Sequence, residues 1–157
     1  GTMVWNEDTV FASGGFPNKE TLGVRVGENP FVLWKNKDMS YEQSLLYHEG
    51  HLYTLNDGGI AVCWEAATGA ERWRVRLGGP VSASPVLAAG RIYAMNERGI
   101  MHVFSPDPKA FTKFAENTLG DEGFATPAFV GREIFLRTAT NAGERKEWLY
   151  CLAEEPE

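Results

Sequence analysis

The chain has 157 residues, 43% of them hydrophobic and 23% charged, with a net charge of −6. That length predicts one domain with its own core, and no apolar run approaches the roughly 20 residues of a membrane-spanning helix, so a water-soluble globular chain is expected. The 15 Lys and Arg are scattered among 21 Asp and Glu, which leaves no basic face for a phosphate backbone and excludes nucleic acid as a partner.

In chain order, the opening GTMVWNEDTV has no basic segment followed by an apolar stretch, so it shows no visible secretory signal and export is not read from it. Four similar segments then follow: TVFASGG at 9–15, HLYTLND at 51–57, RIYAMNE at 91–97 and REIFLRT at 132–138. Their aromatics, Phe11, Tyr53, Tyr93 and Phe135, recur about every forty residues, a period shared by helical solenoids and propeller blades. The apolar runs are short and rich in β-branched and aromatic residues, and Glu-Gly, Asp-Gly-Gly, Ala-Gly and Arg-Gly turns interrupt them. No pair of long helices fits between those turns. The expected fold is therefore all-β, a β-propeller of about four antiparallel four-stranded blades at approximately 1–40, 41–81, 82–123 and 124–157, forming a single domain.

The second unit shows the strands most plainly, as QSLLYH, HLYTLN, GIAVCWE and ERWRVRL. Pro85 and Pro127 fall in the first strand of units three and four, and proline cannot donate to a ladder, so that strand is expected at an edge. The fourth strand, WKNK at 34–37 and WRVR at 73–76, alternates charge with apolar residues, as an exposed edge does. DPKAFTKFAENTLG at 107–120 fits a helix as well as a strand by pattern alone. The forty-residue register breaks the tie, because Phe114 falls 41 residues after Trp73, where a fourth strand belongs.

EAATGAERW at 65–73 resembles the tryptophan-docking motif of the PQQ-like (pyrroloquinoline quinone repeat) β-propeller family, with Glu65 in place of the motif's aspartate. ASGGFPNKETLGVRV, ERWRVRLGGPVSASPV and ATPAF…LYCL extend the likeness to the C-terminal half of a bacterial PQQ-repeat protein. The resemblance implies that Gly69 makes a turn, that Trp73 packs between adjacent blades, and that the four units are half of an eight-bladed propeller. It also implies a periplasmic or other extracytoplasmic setting. The third unit, FSPDPKAFTKF, lacks both the Thr-Gly turn and the tryptophan.

Quinone dehydrogenases of this family hold PQQ on the propeller axis with a calcium ion, which demands several oxygen ligands, carboxylates among them. The axis-facing first strands here offer Ser44, Ser84 and Thr126, candidate channel-facing contacts that carry no charge. Asn56-Asp57 and Asn96-Glu97 occupy equivalent turns, where Asn and Asp serve the backbone. His48 and His51 in HEGH are three apart around a Gly turn, unlike the i, i+4 helical zinc motif. Cys63 and Cys151 take equivalent places in non-adjacent units and are expected as two buried small hydrophobes rather than a disulfide. GGFP at 14–17 opens no helix that could cradle a phosphate.

No catalytic, cofactor-binding or metal residue is assigned. The sequence points to a non-catalytic scaffold or binding module that presents loops and a channel mouth to a protein or carbohydrate partner. The alternative is a fragment of a PQQ-dependent quinoprotein oxidoreductase whose acidic residues lie elsewhere, with PQQ and calcium as cofactors. Four units of an eight-membered ring leave an apolar face at each end, around Val10, Phe11 and Val24 and around Ile134, Phe135 and Leu149. A homodimer, or the remaining half of the same propeller, is therefore expected to cover them.

Overall fold

The computed structural model describes residues 1–15 and 17–153, which form fifteen β-strands and no helix. Sheet 1 contains β1 (Val4–Asn6), β2 (Thr9–Gly14), β3 (Glu20–Arg25) and β4 (Phe31–Asn36). Sheet 2 contains β5 (Leu46–His48), β6 (His51–Leu55), β7 (Ile60–Glu65) and β8 (Glu71–Arg76). Sheet 3 contains β9 (Val86–Ala88), β10 (Arg91–Met95), β11 (Ile100–Phe104) and β12 (Lys113–Thr118). Sheet 4 contains β13 (Ala128–Val130), β14 (Glu133–Thr140) and β15 (Lys146–Ala153). Each sheet is an antiparallel meander in chain order, with its first strand at one edge. This is the blade of a β-propeller.

The hairpins form where the sequence supplies left-handed residues. Glu49 and Gly50 have φ of 43° and 77°, and Ala89 and Gly90 have 47° and 69°, the two positive angles of a tight hairpin turn whose twist matches its strands. In the next hairpins Asn56 Oδ1 accepts from the N–H groups of Gly58 and Ile60, both at 3.1 Å. Asn96 Oδ1 accepts from Arg98 at 3.0 Å and Ile100 at 3.1 Å. The paired Asn residues therefore hold turns, as their side-chain chemistry suggested.

Successive strand residues point to opposite faces, so each blade buries two sets of side chains. In sheet 2, Leu52 and Trp64 turn back toward Phe11 and Trp34 of sheet 1. Tyr53, Cys63 and Trp73 turn forward toward Ile92 and Phe104 of sheet 3. Sheet 3 in turn places Met95, Met101 and Val103 against Leu136 of sheet 4. We call these the rear and front faces of a blade.

Four details refine the sequence reading. The ambiguous segment 107–120 contains strand β12 and no helix. Pro85 and Pro127 stand immediately before β9 and β13 rather than inside them. QSLLYH is strand only from Leu46 to His48. Cys63 is buried but Cys151 is exposed, which corrects the expectation that both are core residues. Cys151 pairs with Phe135 on the front face of sheet 4, and among the described residues no further sheet covers that face.

Candidate functional site

Ser44, Ser84 and Thr126 precede the first strands of sheets 2, 3 and 4, and the structure brings them into one hydrogen-bonded row. The N–H of Ser44 donates to Ser84 Oγ at 2.9 Å, and the N–H of Ser84 donates to Thr126 Oγ1 at 3.0 Å. The row begins one blade earlier, where the N–H of Thr2 donates to Ser44 Oγ at 2.7 Å. Each hydroxyl thus satisfies a main-chain donor of the preceding blade. Two of the three candidate contacts, Ser44 and Ser84, are half-buried, and Thr126 is exposed.

Glu65, Gly69 and Trp73 share one hairpin but serve different contacts. Glu65 accepts from Thr68 Oγ1 at 2.7 Å and from Arg72 at 2.8 Å, and those two partners hold its carboxyl below the usual carboxylate range. Gly69 has φ +71°, and a Cβ added there would lie 2.5 Å from the Trp34 ring of the preceding blade. Trp73 reaches the other way: its ring packs on Phe104 and Phe111, and its Nε1 donates to the Asp107 carbonyl at 2.9 Å. Trp34 repeats this one blade earlier, donating to the Ala66 carbonyl at 2.8 Å. The hairpin therefore receives one tryptophan and contributes another. Phe114 falls in strand β12 but is exposed, with Arg91 stacked 5.3 Å from its ring centre.

Charged groups near the rim are tied down. Arg74 makes two bonds to Asp38, at 3.0 and 2.7 Å, and two to Glu71, at 2.9 and 2.7 Å, and these carboxylates hold it firmly in the charged form. Asp57 accepts from the Tyr41 N–H at 2.9 Å and from Gln43 Nε2 at 2.8 Å. His51 Nδ1 lies 2.9 Å from the Glu49 carbonyl and His48 Nε2 lies 3.9 Å from the Glu49 carboxylate, so HEGH is the β5–β6 turn. No group of three potential metal ligands occurs among the described residues. Burial pushes the Cys63 thiol up to about 11, which keeps it protonated and poorly nucleophilic.

Two features go beyond the sequence reading, which makes His102 an ordinary strand histidine. His102 is buried with neither ring nitrogen hydrogen-bonded among the described residues; the Glu116 carboxylate is 3.4 Å from Nδ1. Burial pulls its imidazole below the ordinary value, and Glu116 partly opposes that shift. The second is a groove of 410 Å³ between sheets 3 and 4, lined by Tyr93, Phe129, Ile134 and Leu152. The Tyr93 and Phe129 rings lie 4.7 Å apart in it. The apolar alternation of β10 and β14 carries no trace of this gap, because it depends on how far apart two blades sit.

Comparison with known proteins places this arrangement. The family model for outer membrane protein assembly factor BamB matches residues 31–107. No curated protein sequence matches the chain. Among solved structures, BamB from Moraxella catarrhalis superposes with a TM-score of 0.68 at 12% identity, covering 88% of this chain and 40% of that one. The quinohemoprotein alcohol dehydrogenase ADHIIG from Pseudomonas putida HK5 gives 0.66 at 12% identity, covering 88% of this chain and 28% of that one. The computationally designed Ika4 protein gives 0.63 at 13% identity, covering 94% of this chain and 88% of that one. The chain thus spans less than half the length of the two natural proteins and most of the designed one. At these identities the likeness is one of fold.

Proposed function

Because the chain belongs to the PQQ-repeat β-propeller family, we propose that it acts as a non-catalytic propeller module that presents its loops and channel mouth to a protein or carbohydrate partner. Its ring is completed by a second copy or by the remaining half of its own propeller. The likeness to BamB and to a quinohemoprotein supports an extracytoplasmic setting.

The observation that carries this reading is the row of hydrogen bonds at the first strands. A quinone with calcium needs carboxylates and free oxygen ligands at the axis. Here the equivalent positions hold Ser44, Ser84 and Thr126, whose hydroxyls accept main-chain N–H groups of neighbouring blades. These residues do not fit PQQ with its ion. The nearby acids Asp38 and Asp57 are engaged by Arg74 and by Gln43 and the Tyr41 backbone. The docking role of Glu65, Gly69 and Trp73 belongs to the scaffold: Glu65 holds its own hairpin through Thr68 and Arg72, while Gly69 with Trp34 and Trp73 with Phe104 join blade to blade. The Tyr93–Phe129 groove supplies an aromatic wall on which a sugar ring or a partner's side chain can stack.

The fold likeness to ADHIIG favours the second reading, a fragment of a quinoprotein oxidoreductase. Calorimetry with PQQ and excess calcium separates the two. We expect no saturable heat; calcium-dependent saturable binding would reverse the order of the two readings.

A further inference from the structure

The first two blade joints are each filled by an indole sent forward from the preceding blade. In sheet 1 the front-face row runs Phe11, Gly23, Trp34, and the Trp34 ring lies 6.1 Å from Phe11. In sheet 2 the same row is Tyr53, Cys63, Trp73, and the Trp73 ring lies 6.0 Å from Tyr53 and 6.1 Å from Phe104 on the rear face of sheet 3. Both indoles donate their N–H to a main-chain carbonyl of the next blade, at Ala66 and at Asp107. Each joint therefore seats one tryptophan between an aromatic of its own sheet and the rear row of the next.

The third joint keeps the seat and lacks the ring. In sheet 3 the row reads Tyr93, Val103, Ala115, so the pairing register puts Ala115, and not its neighbour Phe114, where Trp34 and Trp73 stand. The walls that hold Trp73 have their counterparts here. Tyr93 repeats Tyr53, and Leu152, which ends the sheet 4 row Phe129, Ile134, Leu152, repeats Phe104. The 410 Å³ groove lies among these residues, and Glu133 is also in its lining. Val103 is packed into the core with Leu136. In the first two joints the seated ring comes from the fourth strand of the preceding blade, so the gap in the third follows from alanine at position 115, inside the repeat, and not from either end of the chain.

We propose that this groove is a binding site for a tryptophan side chain presented by a partner protein. An indole supplies what residue 115 does not: a flat apolar ring to lie against Tyr93 and Phe129, whose own rings meet at 4.7 Å, and an N–H that the Glu133 carboxylate can accept. The volume falls within the roughly 300–1,000 Å³ of small-ligand sites, and the lining extends to the β9–β10 and β13–β14 turns, so a side chain on an exposed loop can enter from that face. A sugar needs polar partners around most of its edge, and this lining is mainly apolar. The inference rests on the module reading and narrows its partner to a protein.

The probe is N-acetyl-tryptophanamide, titrated into the chain while the Tyr93 and Phe129 ring signals are followed by NMR. Saturable shifts at millimolar concentration are expected; their absence up to the solubility of the probe would overturn the proposal. Phe129→Ala should weaken binding about tenfold. Ala115→Trp should abolish binding and raise Tm, because the chain's own ring then takes the seat. Val103 is bulkier than Cys63, so Val103→Cys/Ala115→Trp, which restores the pair of sheet 2, is the second blocking variant. A folded tryptophan variant that binds the probe as tightly as the unaltered chain would place the site elsewhere and overturn the assignment. Shifts of the same rings with maltotriose or cellotriose, and none with the amide, would give the groove to carbohydrate and equally overturn it. Calorimetry with PQQ and calcium keeps the two readings apart: a failed amide titration without quinone binding removes the groove and leaves the module, whereas quinone binding removes the module whatever the amide does.

Discussion

The main-chain N–H of Ser44 donates to the Oγ of Ser84 across 2.9 Å, joining the segment before β5 to the segment before β9 over 40 residues of sequence. Its counterparts, Thr2 to Ser44 and Ser84 to Thr126, repeat the same bond one blade earlier and one blade later. A hydroxyl at this position is the smallest side chain that both accepts from the preceding blade and lets the first strands approach. Ser84→Ala leaves the Ser44 donor unsatisfied and should cost about 1–3 kcal/mol. Ser84→Thr should be nearly neutral, since Thr126 already fills the equivalent place. Urea unfolding of the two variants checks both expectations.

Gly69 and Gly50 both have positive φ, +71° and +77°, but only Gly69 faces another side chain, the Trp34 ring. Gly69→Ala should cost more than about 1 kcal/mol from backbone strain alone, and more again because Trp34 must move. Gly50→Ala meets open space and should show the strain without the displacement. A smaller loss of stability at Gly69 than at Gly50 would remove Trp34 from the account.

Trp73 is 9% exposed among the aromatics of sheets 2 and 3, whereas Phe114 is 51% exposed. Trp73→Ala should cost about 3–5 kcal/mol. Phe114→Ala should stay within about 0.5 kcal/mol, as for other surface changes. Thermal melts read the contrast directly, and a melt unmoved by Trp73→Ala would mean that the ring does not join the two blades.

His102 couples stability to pH. Its imidazole is held below the ordinary value of 6.5 mainly by burial, with Glu116 opposing the shift and Lys113 reinforcing it. The unfolded chain therefore takes up the proton first as pH falls, so stability is full above about pH 6.5 and declines below it toward the folded-state value. His102→Leu should flatten the stability profile through that window; the equivalent position in sheet 2 is already apolar Val62. Denaturation midpoints measured between neutral and mildly acidic pH give the slope. The lowered carboxylates Glu65, Glu116, Glu122 and Glu147 add their own loss at lower pH, because each is stabilised in the ionised form.

Much of the fold was legible in the sequence. The forty-residue recurrence of Phe11, Tyr53, Tyr93 and Phe135, the period-two alternation and the Gly turns are local in origin. Each acts within one hairpin, so the number of sheets and the order of their strands follow from it. The strand at Lys113–Thr118 was decided by register where pattern alone was ambiguous.

What one blade does to the next was not legible, because it depends on distances between residues 30 to 50 apart in the chain. Ser44 and Ser84 read as channel contacts, yet the neighbouring backbone claims their hydroxyls. Trp34 read as part of a charged edge strand, yet its indole fills the space that only a glycine at 69 leaves open. Cys63 and Cys151 are equivalent in sequence pattern, but one is enclosed and the other bare, since burial of a sheet face is a property of the blade beside it. The sequence by itself determined the blade; the packing of blade on blade, where hydrogen-bond donors meet acceptors and apolar faces are covered or left open, was decided only by the tertiary structure.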